Sequence, residues 1–99
     1  MRDTILLLQD NTAKSAIVQE LLARSSGTPF ILEWLRTCAA GVDRLKDPRK
    51  NGIAAILINL LLPDGRQLEV FNRIFDAARD IPILILSSPE HEKIGRAHV

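Results

Sequence analysis

The chain has 99 residues, of which 46% are hydrophobic and 25% charged, room for one domain of ordinary globular make-up. That balance excludes a disordered tail, a collagen-like repeat and a disulfide scaffold. Thirteen Lys and Arg against twelve Asp and Glu give a formal charge of +1; the densest basic run, Arg44, Lys46, Arg49 and Lys50, is diluted by Asp43 and Asp47 and reads as a solvated helix end, not a nucleic-acid footprint.

The first element is Ile5–Leu8, a short apolar run that reads as a strand buried on both faces and is too brief for a signal-peptide core. Thr12–Arg24 follows with Ile17, Val18, Leu21 and Leu22 on a helical stripe, capped by Asn11 or Thr12 and ended by Ser25-Ser26-Gly27. The Ile17/Leu21 stripe is expected in the core. Phe30–Leu35 has strand composition, and Glu33 points to a partly exposed edge. Thr37 is placed to cap a helix with Cys38, Ala39, Val42 and Leu45 inside, stopped by Asp47-Pro48 and Asn51-Gly52. The lone Cys38 cannot form an intrachain disulfide and reads as a buried thiol.

Ile53–Leu60 is the most hydrophobic strand and is expected at the centre of the sheet. The apolar run that contains it, Ile53–Leu62, includes Asn59 and is far short of the roughly twenty residues a bilayer requires. A soluble, cytoplasmic domain with no membrane partner is the expectation. Leu62-Pro63-Asp64-Gly65 is loop chemistry. Leu68–Arg79 carries Val70, Phe71, Ile74, Phe75 and Ala78 at helical spacing, with Phe71/Phe75 expected in the core. Ile81–Leu86 is a fourth strand, with Pro82 near its start. Ser87-Ser88-Pro89-Glu90 then has the hydroxyl cap, first-turn proline and acid of a helix start.

Alternating strands and helices imply an α/β domain: a parallel sheet with helical crossovers covering both faces. Functional groups in such sheets gather at the carboxyl ends of the strands, which here carry Gln9-Asp10, Asn59 with Leu61, and Ser87-Ser88. Gln9-Asp10-Asn11-Thr12 contains no glycine, against a P-loop or dinucleotide fold. Cys38, His91 and His98 lack metal-ligand spacing, and no G-x-S-x-G elbow occurs.

Ile5-Leu6-Leu7-Leu8-Gln9-Asp10-Asn11, then Ala55-Ile56-Leu57-Ile58-Asn59-Leu60-Leu61-Leu62-Pro63-Asp64-Gly65, then Ile81-Pro82-Ile83-Leu84-Ile85-Leu86-Ser87-Ser88, in that order, resemble the receiver domain of two-component response regulators over Thr4 to Lys93. The resemblance implies a flavodoxin-like three-layer sandwich with strand order 2-1-3-4. It also implies a Mg²⁺ site of two acids after the first strand, with a backbone carbonyl two residues beyond a phosphoacceptor aspartate at the end of the third. A hydroxyl after the fourth strand and a lysine after a fifth contact the phosphoryl group in that family. Carried over by position, Asp10 keeps the second acid, Leu61 supplies the carbonyl and Ser87 keeps the switch hydroxyl. Gln9 stands where the first acid is expected, and Asn59 stands at the phosphoacceptor position. A carboxamide is not a nucleophile for acyl phosphate formation, and magnesium prefers anionic oxygens. No phosphate at Asn59 and only weak Mg²⁺ binding are therefore expected.

The helix begun at Pro89 has barely one turn before Ile94-Gly95-Arg96-Ala97-His98-Val99, a sequence that one reading frame of a common short-read sequencing adapter encodes. The expected organisation is an incomplete receiver-like domain over 1–93, without the fifth strand and last helix, and a non-native tail over 94–99. Such a chain is expected to be unstable or self-associating, because strand four becomes an exposed apolar edge. The function that follows is a degenerate receiver, a pseudo-receiver in a two-component phosphorelay, which is not an enzyme in the ordinary sense. Its expected partners are a histidine kinase, another signalling protein or a downstream output domain. One alternative is a conventional receiver using Asp10 or Asp64 as a substitute carboxylate. Another is a small-ligand or nucleotide-binding enzyme domain of the same fold.

Overall fold

A computed structural model describes residues 3–25, 27, 30–47 and 52–86. The elements are β1 (Thr4–Leu8), α1 (Thr12–Ser25), β2 (Ile31–Leu35), α2 (Cys38–Lys46), β3 (Ile53–Asn59), α3 (Gln67–Ala78) and β4 (Ile83–Leu86). All strand pairs are parallel, in the order β2-β1-β3-β4. The pairing is parallel, as the alternation of elements implies, and the order is the one the receiver resemblance implies, with β1 and β3 inside and β2 and β4 at the edges of the described sheet. Glu33 is partly exposed on the edge strand β2 and holds Arg44 of α2 in a bidentate ion pair at 2.5 Å.

Partners in a parallel register face the same side. Leu6 and Leu8 of β1 lie beside Ile56 and Ile58 of β3, and these four join Cys38 and Val42 of α2 with Val70, Ile74 and Ala78 of α3 in the main core. The other face carries Leu7 and Leu57, also buried, and is the face on which a right-handed β1–α1–β2 crossover sets α1. Right-handed crossovers require this division: the chain moves one way from β1 to β2, and the opposite way from β1 to β3 and β4. Both interior strands are thus apolar on both sides, which is why they read as continuous runs and not as alternating ones.

Four inward assignments require correction. Ile17 and Leu21 are 57% and 58% exposed, and Phe75 is 54% exposed. On α1 the side turned inward is instead Ser15, fully buried, with Val18 and Leu22 half-buried. Val70, Ile74 and Ala78 take the buried side of α3, while Phe75 stacks on Phe71 at 5.6 Å between ring centroids. In α2, Ala39 is exposed and Gly41 is buried in its place. A Cβ at Gly41 would overlap the side chain of Leu8 and come within 3.1 Å of Ile74 Cδ1, so glycine is what lets α2 approach the sheet closely. Periodicity gave the helices but left the rotation of each stripe open by one residue position.

Capping explains where the helices begin. Asn11 Oδ1 accepts from the Lys14 N–H at 2.9 Å, which settles Asn11, not Thr12, as the cap of α1. Thr37 Oγ1 accepts from the Ala40 N–H at 3.1 Å and caps α2. At α3, the Glu69 carboxylate accepts from the Arg66 N–H at 3.0 Å. No helix among the described residues is long and apolar enough to cross a membrane.

Candidate functional site

The carboxyl ends of β1 and β3 lie side by side, since Leu8 pairs with Ile58 in register. The next residue on each strand is an amide, Gln9 and Asn59. Gln9 is only 3% exposed. Asn59 Nδ2 donates to Gln9 Oε1 at 2.9 Å. The same Gln9 oxygen accepts from the Asn11 N–H at 3.2 Å, and Asn59 Oδ1 accepts from the Leu61 N–H at 3.0 Å. Backbone N–H groups can only donate, so these two bonds fix which atom of each amide is oxygen. The pair is a closed clasp in which both amide oxygens are already engaged.

This clasp suits amides and not a pair of acids. Two carboxylates in this geometry would repel each other unless a cation or proton lay between them. Two amides satisfy one another with no ion present. Asp10 and Leu61 flank the clasp, and both are exposed. Asp10 follows Gln9 directly in the chain, and Leu61 touches the clasp through its N–H. Among the described residues no cluster of three or more His, Cys, Asp or Glu side chains is placed to hold a metal ion. Asp10 offers a carboxylate beside two amides whose oxygens already accept hydrogen bonds, whereas Mg²⁺ favours octahedral, anionic oxygen donors. Gln9, Asp10, Asn59 and Leu61 are brought together; Ser87 lies outside the described residues.

Two further features stand at this end of the sheet: Asp64, which the sequence offers as loop chemistry and as a substitute carboxylate, and the pair Trp34 and Arg36, to which it assigns no role. Asp64, from the loop after β3, reaches the first turn of α2. Its Oδ1 accepts from the Cys38 N–H at 2.8 Å and its Oδ2 from the Ala39 N–H at 2.9 Å. Partial burial pushes the Asp64 carboxyl up, but the Ala39 and Cys38 N–H groups and the Arg73 charge outweigh that, and its pKa lies below the ordinary value. Burial pushes the Cys38 thiol up, with Arg73 opposing. On the opposite flank, Trp34 Nε1 donates to the Gln9 carbonyl at 2.6 Å. The Arg36 guanidinium stacks over the Trp34 ring at 4.3 Å and donates to the Asp10 carbonyl and to Thr12 Oγ1. A proline-containing loop and an edge strand gave no chemical signal for these contacts, although the Trp34-x-Arg36 spacing places both on one face of an extended chain.

Among solved structures the chain resembles a phosphorylated cyanobacterial phytochrome response regulator, RcpA, at 26% identity and TM-score 0.75, covering 99% of this chain and 74% of that one. It resembles the bacteriophytochrome response regulator AtBRR at 24% identity and TM-score 0.78, covering 99% of this chain and 76% of that one. The receiver domain of sensor histidine kinase PA1611 from Pseudomonas aeruginosa, solved with magnesium in its active-site cleft, matches at 21% identity and TM-score 0.72, over 97% of this chain and 75% of that one. No family model matches the sequence. No curated protein sequence matches it either. The parallel order β2-β1-β3-β4 and the likeness to these regulators give the chain the fold of a response-regulator receiver domain.

Proposed function

We propose that this receiver domain works without phosphate at Asn59, as a pseudo-receiver that regulates an output domain or partner protein through protein contacts. The observation that carries this reading is the amide clasp. Asn59 presents a carboxamide where an acyl phosphate requires a carboxylate oxygen as nucleophile. Its oxygen is held by the Leu61 N–H and its nitrogen by Gln9.

The substitute-acid reading is weakened by what surrounds the two candidates. Both oxygens of Asp64 are committed to the first turn of α2. Asp10 sits on the β1–α1 loop, and the residue before it and the residue that ends β3 are both amides, Gln9 and Asn59. The missing glycine loop continues to argue against a nucleotide-binding enzyme. A receiver that binds Mg²⁺ weakly and takes no phosphate retains what its surfaces recognise, so a histidine kinase, another signalling protein or an output domain are its candidate partners.

Calorimetric titration with MgCl₂ tests the metal half of this reading. The unmodified chain is expected to give no saturable binding at low millimolar Mg²⁺, and Gln9→Glu/Asn59→Asp is expected to bind. Tight binding by the unmodified chain would overturn it.

A further inference from the structure

We propose that Trp34 and Arg36 are positioning residues of the strand-end site, a strap from the edge strand β2 that sets where Gln9 and Asp10 stand. This rests on reading those residues as the site of the domain, not on whether the site takes phosphate. Gln9 is held from two directions. Its side chain receives Asn59 and the Asn11 N–H, while its carbonyl receives the Trp34 indole at 2.6 Å. Any displacement of the Gln9 backbone must therefore disturb the indole hydrogen bond or be resisted by it, and such a displacement carries the side-chain amide with it.

Arg36 closes the strap. It donates to the Asp10 carbonyl at 3.4 Å and to Thr12 Oγ1 at 3.1 Å, and Thr12 is the first residue of α1. A helix N-terminus disfavours a nearby cation, and α1 has no acid in its first turn to compensate. The guanidinium therefore needs a hold of its own. Stacking over Trp34 at 4.3 Å provides one, while its forked donors reach two consecutive parts of the loop. Trp34 and Arg36 consequently couple the clasp to the edge of the sheet, at a surface where an arginine and a partly exposed tryptophan stand together.

The chain contains one tryptophan, so a ¹⁵N-labelled sample gives one indole N–H resonance to follow. Amide and indole hydrogen exchange is measured on the 99-residue chain and on Arg36→Ala, Arg36→Lys and Trp34→Phe. In Arg36→Ala the Trp34 indole and the Asn11 amide are expected to exchange about tenfold faster, while Val70 and Ile74, across the sheet in α3, change by less than about twofold. Arg36→Lys, which keeps a donor but not the fork, is expected to fall between. Trp34→Phe is expected to speed Asn11 exchange, and Asn59→Ala to shift the indole resonance. Uniform acceleration at all sites would reduce the strap to general stability and overturn the proposal. Unchanged Asn11 exchange in Arg36→Ala, or an unmoved indole in Asn59→Ala, would overturn it as well. None of these readouts requires phosphate or metal, so a phosphate-accepting site would defeat the pseudo-receiver reading and leave this one standing.

Discussion

Asp64→Ala removes an anion that caps a helix from another part of the chain. The helix α2 has nine residues and no acid in its own first turn, so the positive end of its dipole is met by Asp64 with two charge-assisted bonds at 2.8 and 2.9 Å. Loss of a side-chain cap commonly costs about 1 kcal/mol, and the charge–dipole attraction adds roughly 0.3–1 kcal/mol at exposed positions. The expected loss for Asp64→Ala at pH 7 is therefore about 1.5 kcal/mol, or a fall in Tm of roughly 6–12 °C for a domain of this size. Asp64→Asn is expected to lie between, because it is neutral and puts an NH₂, which cannot accept, where one of the two oxygens meets an N–H. The assay is urea unfolding of the three proteins from pH 7 down to pH 3. The folded pKa of Asp64 is depressed, so its contribution is complete above the ordinary aspartate pKa of about 3.9 and is lost as pH falls through the lower folded value. The gap between the unmodified protein and Asp64→Ala must narrow over that acidic window. A gap that stays constant with pH, or is absent at pH 7, would refute the capping role.

Other consequences follow from packing. Gly41→Ala places a Cβ into Leu8 and close to Ile74, and is expected to cost about 1–3 kcal/mol by urea unfolding even though alanine favours helix. Ile17→Ser and Leu21→Ser alter side chains that are 57% and 58% exposed, so each is expected to change the unfolding free energy by less than about 1 kcal/mol, against the 2–5 kcal/mol that truncating a core aliphatic costs.

The sheet was legible in the sequence because its two interior strands are continuous apolar runs. Ile5–Leu8 and Ile53–Leu60 could only be strands buried on both sides, and the helical segments between them required parallel pairing. The strand-end residues were legible for the same reason: once the topology is set, Gln9, Asp10, Asn59 and Leu61 must converge. What escaped was rotation and reach. Ile17/Leu21 and Val18/Leu22 fit one stripe equally well by spacing, and burial selects only the second pair. Asp64 reads as turn chemistry until α2 stands beside it, 26 residues away along the chain. Trp34 and Arg36 read as the end of an edge strand until their side chains are seen to meet the β1–α1 loop. Contacts between side chains and distant backbone groups leave no periodic trace, so they are the part a sequence pattern conveys least.

The most direct measurement for the pseudo-receiver account is incubation with a small phosphodonor and Mg²⁺, followed by intact mass and peptide mapping under conditions that preserve acyl phosphates. The unmodified chain is expected to show no added phosphate, and Gln9→Glu/Asn59→Asp is expected to gain one, mapped to position 59. An acyl phosphate on the unmodified chain, at Asp10, Asp64 or any other carboxylate of the strand-end loops, would contradict the account.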